Sequence, residues 1–347
     1  MIIDAAVHPT ISDRELRELM PPPFRYLPFA GPERYLFPVP GGEYVDGARE
    51  SVAEAAASDP ERVARVVCEQ GGCDLAILVP LTRGMQQDVD LGSAICTALN
   101  TWQSERWLPD SRLRGSIRVN PQDPVAATAE IERWAGDSRF VQVAVPAQSL
   151  QPYGQRPYFP IWEAAAKHDL PVHLRLDAAA AVEFWPTAVG YPTHYSEFAT
   201  MQPLPAITHV ISLIAEGVME KLPELRIVCG DGGADLLGPT LWRFNKSWRG
   251  LRMEAPGAAR PPSEYIHPRV RFLWHKWEGA ADARDRSAWG EACKSDALTI
   301  YAGNYPFWDY ATPADAERLG LASKVLSANA LEFYGARLAD VAVPAQS

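Results

Sequence analysis

The sequence has no run of lysine or arginine. Its basic residues stand mostly singly, as at Arg62, Arg65, Arg112, Arg114 and Arg118, and the formal charge of the 347-residue chain is −10. A net negative chain without a basic cluster has little to offer a phosphate backbone or an anionic headgroup, so neither nucleic acid nor membrane is an expected partner. Cysteine is also scarce. The five present (Cys68, Cys73, Cys96, Cys229, Cys293) are scattered, odd in number and form no CxxC pair, which argues against a usual zinc pair and for reduced, mostly buried thiols. The opening MIIDAAVHPTISD lacks the basic-then-apolar order of a signal peptide, and no apolar stretch reads as long enough to span a bilayer. A cytoplasmic location is the expectation. Absent too are a GxGxxG or phosphate loop, a nucleophile elbow and a Ser-His-Asp order, and the cysteines have no evident base partner. The familiar routes to dinucleotide binding and covalent hydrolysis are therefore missing.

What the chain does have is 47% hydrophobic residues, enough for a large core, arranged in short apolar runs separated by helical patterns. The runs are 1–8, 74–79, 114–119, 140–145, 171–176, 225–230, 270–274 and 297–302; helices are predicted at 59–71, 90–107, 124–136, 160–168, 204–221, 234–252 and 281–293, with 314–334 closing the end. Near-continuous apolar strands suit a parallel sheet buried on both faces, and the alternation demands crossovers. Eight such units in one chain of this length predict a single α/β domain over 1–347, a (β/α)8 TIM barrel. Residues 9–58 and 177–203, rich in proline, glycine and aromatics, interrupt the repeat as long insertions after the first and fifth strands. Both leave strand C-terminal ends, where barrel enzymes build their sites; a substrate lid and a dimer contact are both open readings.

Specific residues then narrow the class. Ile3-Asp4-Ala5-Ala6-Val7-His8-Pro9, Leu113-Arg114-Gly115-Ser116, Pro121-Gln122-Asp123-Pro124, Leu222-Pro223-Glu224-Leu225-Arg226, Tyr305-Pro306-Phe307-Trp308-Asp309 and Asn329-Ala330-Leu331-Glu332-Phe333-Tyr334 occur in order along the chain. In these the sequence resembles the amidohydrolase-related family, in the branch that includes decarboxylases of aromatic acids. The resemblance implies one divalent metal at the barrel mouth. Its ligands would be an acid or His two residues before a His on the first strand, a His ending the fifth, a His or acid ending the sixth and an Asp ending the eighth. Such donors suit a zinc-like ion with an open coordination position. The resemblance also makes Gly230-Asp231-Gly232-Gly233 the family's strand-end turn, and implies a homodimer.

The ligand positions are largely altered. Ala6 has no donor atom, Arg175 is a permanent cation, and Asn304 stands where the family has Asp; His8 and Asp231 remain. A guanidinium beside a divalent ion costs on the order of several kcal/mol even at intermediate dielectric, so no metal and no other cofactor is expected. Arg175 then takes over anion binding, with His8 as acid/base, Asp231 orienting or assisting, and His275 as a further catalytic candidate. Asn304, His173, His194, Tyr195, His209, Trp274 and Trp308 are the remaining candidates for touching substrate, with Trp185 and Trp277 helping to exclude water. The predicted function is a metal-independent enzyme acting on a small acidic or aromatic molecule. Lactone or ester hydrolysis, decarboxylation, hydration and dehydration all stay open. Two other readings also stay open: an inactive binding or partner protein, and a metal enzyme with an ion displaced onto His8, His173 and Asp231.

Overall fold

The computed structural model describes residues 1–27, 44–50, 55–80, 86–177, 190, 192–274, 276 and 278–339. Eight short strands form one sheet in chain order: β1 (Ile3–Val7), β2 (Leu75–Leu78), β3 (Leu113–Arg118), β4 (Phe140–Pro146), β5 (Val172–Arg175), β6 (Ile227–Cys229), β7 (Val270–Leu273) and β8 (Thr299–Ile300). Each pairs in parallel with the next. The ends of the sheet meet through Ala5 N–H to Tyr301 O at 3.0 Å and His8 N–H to Tyr305 O at 2.8 Å. With helices between the strands, this is the expected (β/α)8 TIM barrel.

Local chemistry explains where the helices begin. Asp59, Asp88, Asp123 and Asp282 each accept backbone N–H groups of the first turn, and Pro60 and Pro124 occupy first helical positions, where no N–H is needed. The apolar strand residues divide between two cores. Ile3, Leu75, Ile77, Val141, Val228 and Ile300 fill the barrel interior, while Val7, Leu78, Val143, Leu174 and Phe272 pack outward against the helices. The register of β1 slips between Asp4 and Val7. Ala5 and Ala6 therefore both join the inner cluster, and Asp4 turns out toward the β8 exit. In the interior a polar column survives: Tyr334, on the helix Ala328–Tyr334 at the N-terminal end of the barrel, bonds Gln142, which reaches Ser116 and His173.

Several boundaries differ from the sequence reading. The closing helix 314–334 is three pieces, Pro313–Arg318, Ser323–Leu326 and Ala328–Tyr334, because Gly320 adopts φ +86° and ends the first. Helix 204–221 breaks at Gly217 (φ +78°), where a Cβ would lie 2.8 Å from Gly257 Cα. Ala297 and Leu298, expected in the eighth strand, end a helical turn. The expectation that no apolar stretch is long enough for a bilayer is also corrected: the helical run 195–215 passes on length and composition. Its residues Ala206, Ile207, Val210, Leu213 and Ile214 are buried against the barrel, as a core helix requires. Of the two insertions, 28–43, 51–54, 178–189 and 191 lie outside the described residues, Trp185 with them.

Candidate functional site

The C-terminal ends of β1, β5 and β6 and the segment after β8 bring four of the expected side chains together. His8, the first residue beyond β1, is fully buried. Its Nδ1 lies 2.8 Å from the carbonyl oxygen of Val79. A carbonyl only accepts, so Nδ1 carries the proton and Nε2 keeps a lone pair. That Nε2 is buried and makes no hydrogen bond of regular geometry, with Asn304 the side chain close enough to act on the ring. Burial pushes the imidazole well below its usual range; the Arg175 cation adds to this, and the Val79 bond only partly opposes it. His8 is thus a neutral proton acceptor.

Arg175 ends β5. Its Nη2 donates to Asn304 Oδ1 at 2.9 Å, its guanidinium lies 5.8 Å from the centre of the Phe307 ring, and its Nε is buried without a hydrogen bond. Asp231, past β6, approaches that Nε only to 3.8 Å. Its oxygens are occupied elsewhere: Oδ2 accepts from Leu176 N–H at 2.6 Å and Oδ1 from the Gln202 amide at 3.0 Å. Asp231 therefore balances the charge of Arg175 while leaving its Nε without a hydrogen bond. Asn304 sits at φ +66°, a left-handed conformation that Asn tolerates better than most residues, and its amide nitrogen donates to Asp309 at 2.7 Å. Phe307 covers the group, its ring 5.3 Å from His8 and 6.0 Å from Tyr44.

Of the other candidates, Tyr195 and Trp308 meet edge to face at 6.0 Å, with Lys276 5.6 Å over the Trp308 ring. Tyr195 also feels the charges of Asp309, Arg175 and Asp231, so this pair rims the site. His173 is buried within the barrel: its Nδ1 meets the Gln142 amide at 3.1 Å, and its Nε2 lies 2.1 Å from where a Cβ on Gly230 would be. It fills the interior beneath the site. His209 does not join the group. Nδ1 accepts from Tyr153 N–H at 3.1 Å, Nε2 donates to Ala147 O at 2.8 Å, and burial drops its pKa to about 4, leaving no nitrogen for a ligand. Trp274 packs outward with Tyr301, ring centres 6.1 Å apart, against the helical layer; strand alternation sends Leu273 inward in its place. His194 is exposed at the start of the helix Tyr195–Met201 and makes no capping bond. His275 and Trp277 lie outside the described residues.

The sequence reading missed Arg118 and Asp177. They form an ion pair at 3.4 Å, each side chain 2% exposed, at the ends of β3 and β5. The signal was available: Arg118 is two residues after Ser116, and alternation along β3 sends both inward.

The sequence profile of the amidohydrolase family matches residues 3–336. The chain belongs to the amidohydrolase family. Among solved structures, this amidohydrolase resembles one from Mycobacterium avium subsp. paratuberculosis, with TM-score 0.69, 16% identity and 98% of each chain covered. A dihydroxybenzoic acid decarboxylase from Polaromonas sp., solved with manganese and 2-nitroresorcinol, gives TM-score 0.66, 18% identity and 96% of each chain. At such identities the likeness concerns the fold. A curated relative, the gamma-resorcylate decarboxylase of a Rhizobium species, is 27% identical over 153 residues, 40% of this chain and 44% of that protein. The chain thus aligns with less than half the length of that relative.

Where the family resemblance would put ligands stand Ala6, Arg175 and Asn304, both Asp231 oxygens already accept hydrogen bonds, and among the described residues no three His, Cys, Asp or Glu side chains gather to hold an ion. The residues present do not fit a divalent metal.

Proposed function

We propose that this amidohydrolase is a metal-independent enzyme acting on a small, planar acid or its ester, with Arg175 binding the carboxylate or developing oxyanion and His8 Nε2 taking the proton. One observation carries the reading: His8 Nε2 and Arg175 Nε are both buried without a hydrogen bond, and His8 feels the charge of Arg175. Buried polar atoms are rarely left unpaired in a native protein, and an acceptor beside a cationic donor fits a molecule with an acidic hydrogen and an oxyanion. Asp231, 3.8 Å from Arg175 Nε, offers it a counter-charge without saturating it. Phe307, Tyr195 and Trp308 supply the flat apolar walls that an aromatic acid needs.

The relatives agree in substrate type, since those with named activities are decarboxylases of hydroxylated aromatic acids. As a base, His8 can activate water for ester hydrolysis; for decarboxylation it would take the proton of a phenolic hydroxyl and return it to the ring carbon that loses CO2. The manganese bound in the Polaromonas protein and in a 5-carboxyvanillate decarboxylase from Novosphingobium aromaticivorans stands on the side of a metal-dependent reading.

The test is turnover of a panel of hydroxybenzoates and aryl lactones before and after exhaustive chelation, with metal analysis of the purified protein. Unchanged rates in chelator and no stoichiometric metal are expected. Stoichiometric manganese or zinc, or activity lost to chelator and restored by the ion, overturns the proposal.

A further inference from the structure

We infer that Gln142 locks His173 as a neutral imidazole with its proton on Nε2, so that the interior histidine offers no lone pair to an ion and the charge at the barrel mouth is left to Arg175. This rests on the metal-independent reading and deepens it.

The direction of every bond in the column is fixed by one end. Ser116 Oγ lies 2.6 Å from the Leu78 carbonyl oxygen. A carbonyl cannot donate, so the single hydroxyl proton of Ser116 points there. The Gln142 atom 2.8 Å from Ser116 Oγ must therefore donate, which makes it the amide nitrogen. The same nitrogen lies 3.1 Å from His173 Nδ1. An N–H on Nδ1 would face an NH2 group, so Nδ1 holds the lone pair and accepts. At the far side of the amide, Gln142 Oε1 accepts from the Tyr334 hydroxyl at 2.8 Å, as the same orientation requires. The one proton of a neutral His173 is then on Nε2. That atom is buried against Gly230, whose missing side chain makes its room: a Cβ would lie 2.1 Å away.

A metal-ligating histidine has the reverse arrangement, with its distal N–H donated to an acceptor and the lone pair facing the ion. His8 has that form, with Nδ1–H on Val79 O; His173 does not. The two barrel histidines are thus opposite tautomers, one a proton acceptor toward the site and one a donor within the wall. An ion displaced onto His8, His173 and Asp231 would need His173 to lose this proton or Gln142 to turn over, and turning it breaks the bonds to Ser116 and Tyr334. Gln142 is a positioning residue in this scheme.

Nitrogen-15 NMR of histidine-labelled full-length protein at pH 7.5 reads the tautomers directly and needs no substrate. For His173 the expected result is a protonated Nε2 and an unprotonated Nδ1, with the opposite for His8. A protonated Nδ1 on His173 overturns the inference while leaving the proposed activity standing; loss of the activity would leave the tautomer result untouched. The variant Gln142→Glu should move the His173 proton to Nδ1, because a carboxylate only accepts. Should that variant not fold, Arg175→Ala titrated with zinc chloride alone gives a second reading. With the guanidinium gone, the His173 Nε2 resonance should still not move. A zinc-dependent shift at that nitrogen would show that Arg175 alone had excluded the ion, and would overturn the role given to Gln142.

Discussion

A guanidinium and an imidazole that feel each other's field cannot both carry charge cheaply, and at this barrel mouth the guanidinium keeps it. Burial and the neighbouring Arg175 hold His8 well below the ordinary histidine range, so its base form persists through neutrality. For substrates identified by screening, kcat/KM should stay level from pH 8 down to 6.5 and fall only in more acid solution; an acid limb centred at 6.5 or above would contradict the assignment of His8. Replacing Arg175 by Ala should lower kcat/KM by about 10²–10³-fold, the usual effect of losing one preorganised donor to an oxyanion. Arg175→Lys should not restore it, since an ammonium cannot reproduce the planar fork that meets Asn304 and a carboxylate together. Arg175, Asn304, His8 and Asp231 were legible in the sequence because family positions and strand ends mark them. Arg118 and Asp177 were overlooked: alternation along β3 marks Arg118 as inward, but only the fold sets it at one level with Asp177. His209 and Trp274 misled for a related reason: a histidine or tryptophan beside a site position says nothing about which way its ring turns.

Elements meet most tightly where β5 and β6 lie side by side. Gly230, just past β6, faces His173 Nε2 and Arg175 Cβ, which would lie 2.1 and 3.0 Å from an added methyl group. Gly230→Ala should therefore destabilise the fold by about 1–3 kcal/mol, as overpacking of a close-packed core does, and it should disturb Arg175 as well. Gly136→Ala is the control, with no atom within 4 Å of the new methyl. Urea unfolding of the two variants compares them, and equal midpoints would mean that the interior has slack to absorb a carbon. At this scale the sequence was a good guide to the strands. Each is a short apolar run, and four of the helices between them open on Asp or Asp-Pro. It was a poorer guide to helix ends, because Gly217 and Gly320 stop helices by backbone conformation within patterns that otherwise continue. Helix Asp13–Leu19 was hidden in a segment read only as a long insertion.

The barrel as a whole closes at the β8–β1 seam, and a carboxyl group sits in that seam. Asp4 Oδ1 accepts from Gly303 N–H at 2.9 Å and from Ala6 N–H at 3.1 Å, while Oδ2 is buried without a hydrogen-bond partner. Cys73, Tyr301 and Tyr310 are the side chains that feel its charge most, and none is a cation. Burial raises the carboxyl from 3.8 to about 7, against the two backbone bonds that pull it down. Between those values the folded chain holds a proton that the unfolded chain has released. The stabilisation from this group is accordingly full below the unfolded value and is lost as pH rises through the folded one. The span corresponds to roughly 4 kcal/mol across the acid-to-neutral range. Asp4→Asn fixes the neutral form, keeps an oxygen for the Gly303 and Ala6 N–H groups, and so should escape that loss. The stability of the variant relative to wild type should rise from pH 5 to about pH 7 and level off by pH 8, read as unfolding midpoints in urea at each pH. Parallel curves over that interval would mean that Asp4 ionises in place without cost, by water entering the seam or by a cation reaching it. The barrel would then be closed by its two backbone hydrogen bonds and the packing of the Ala328–Tyr334 helix, with no contribution from a protonated carboxyl.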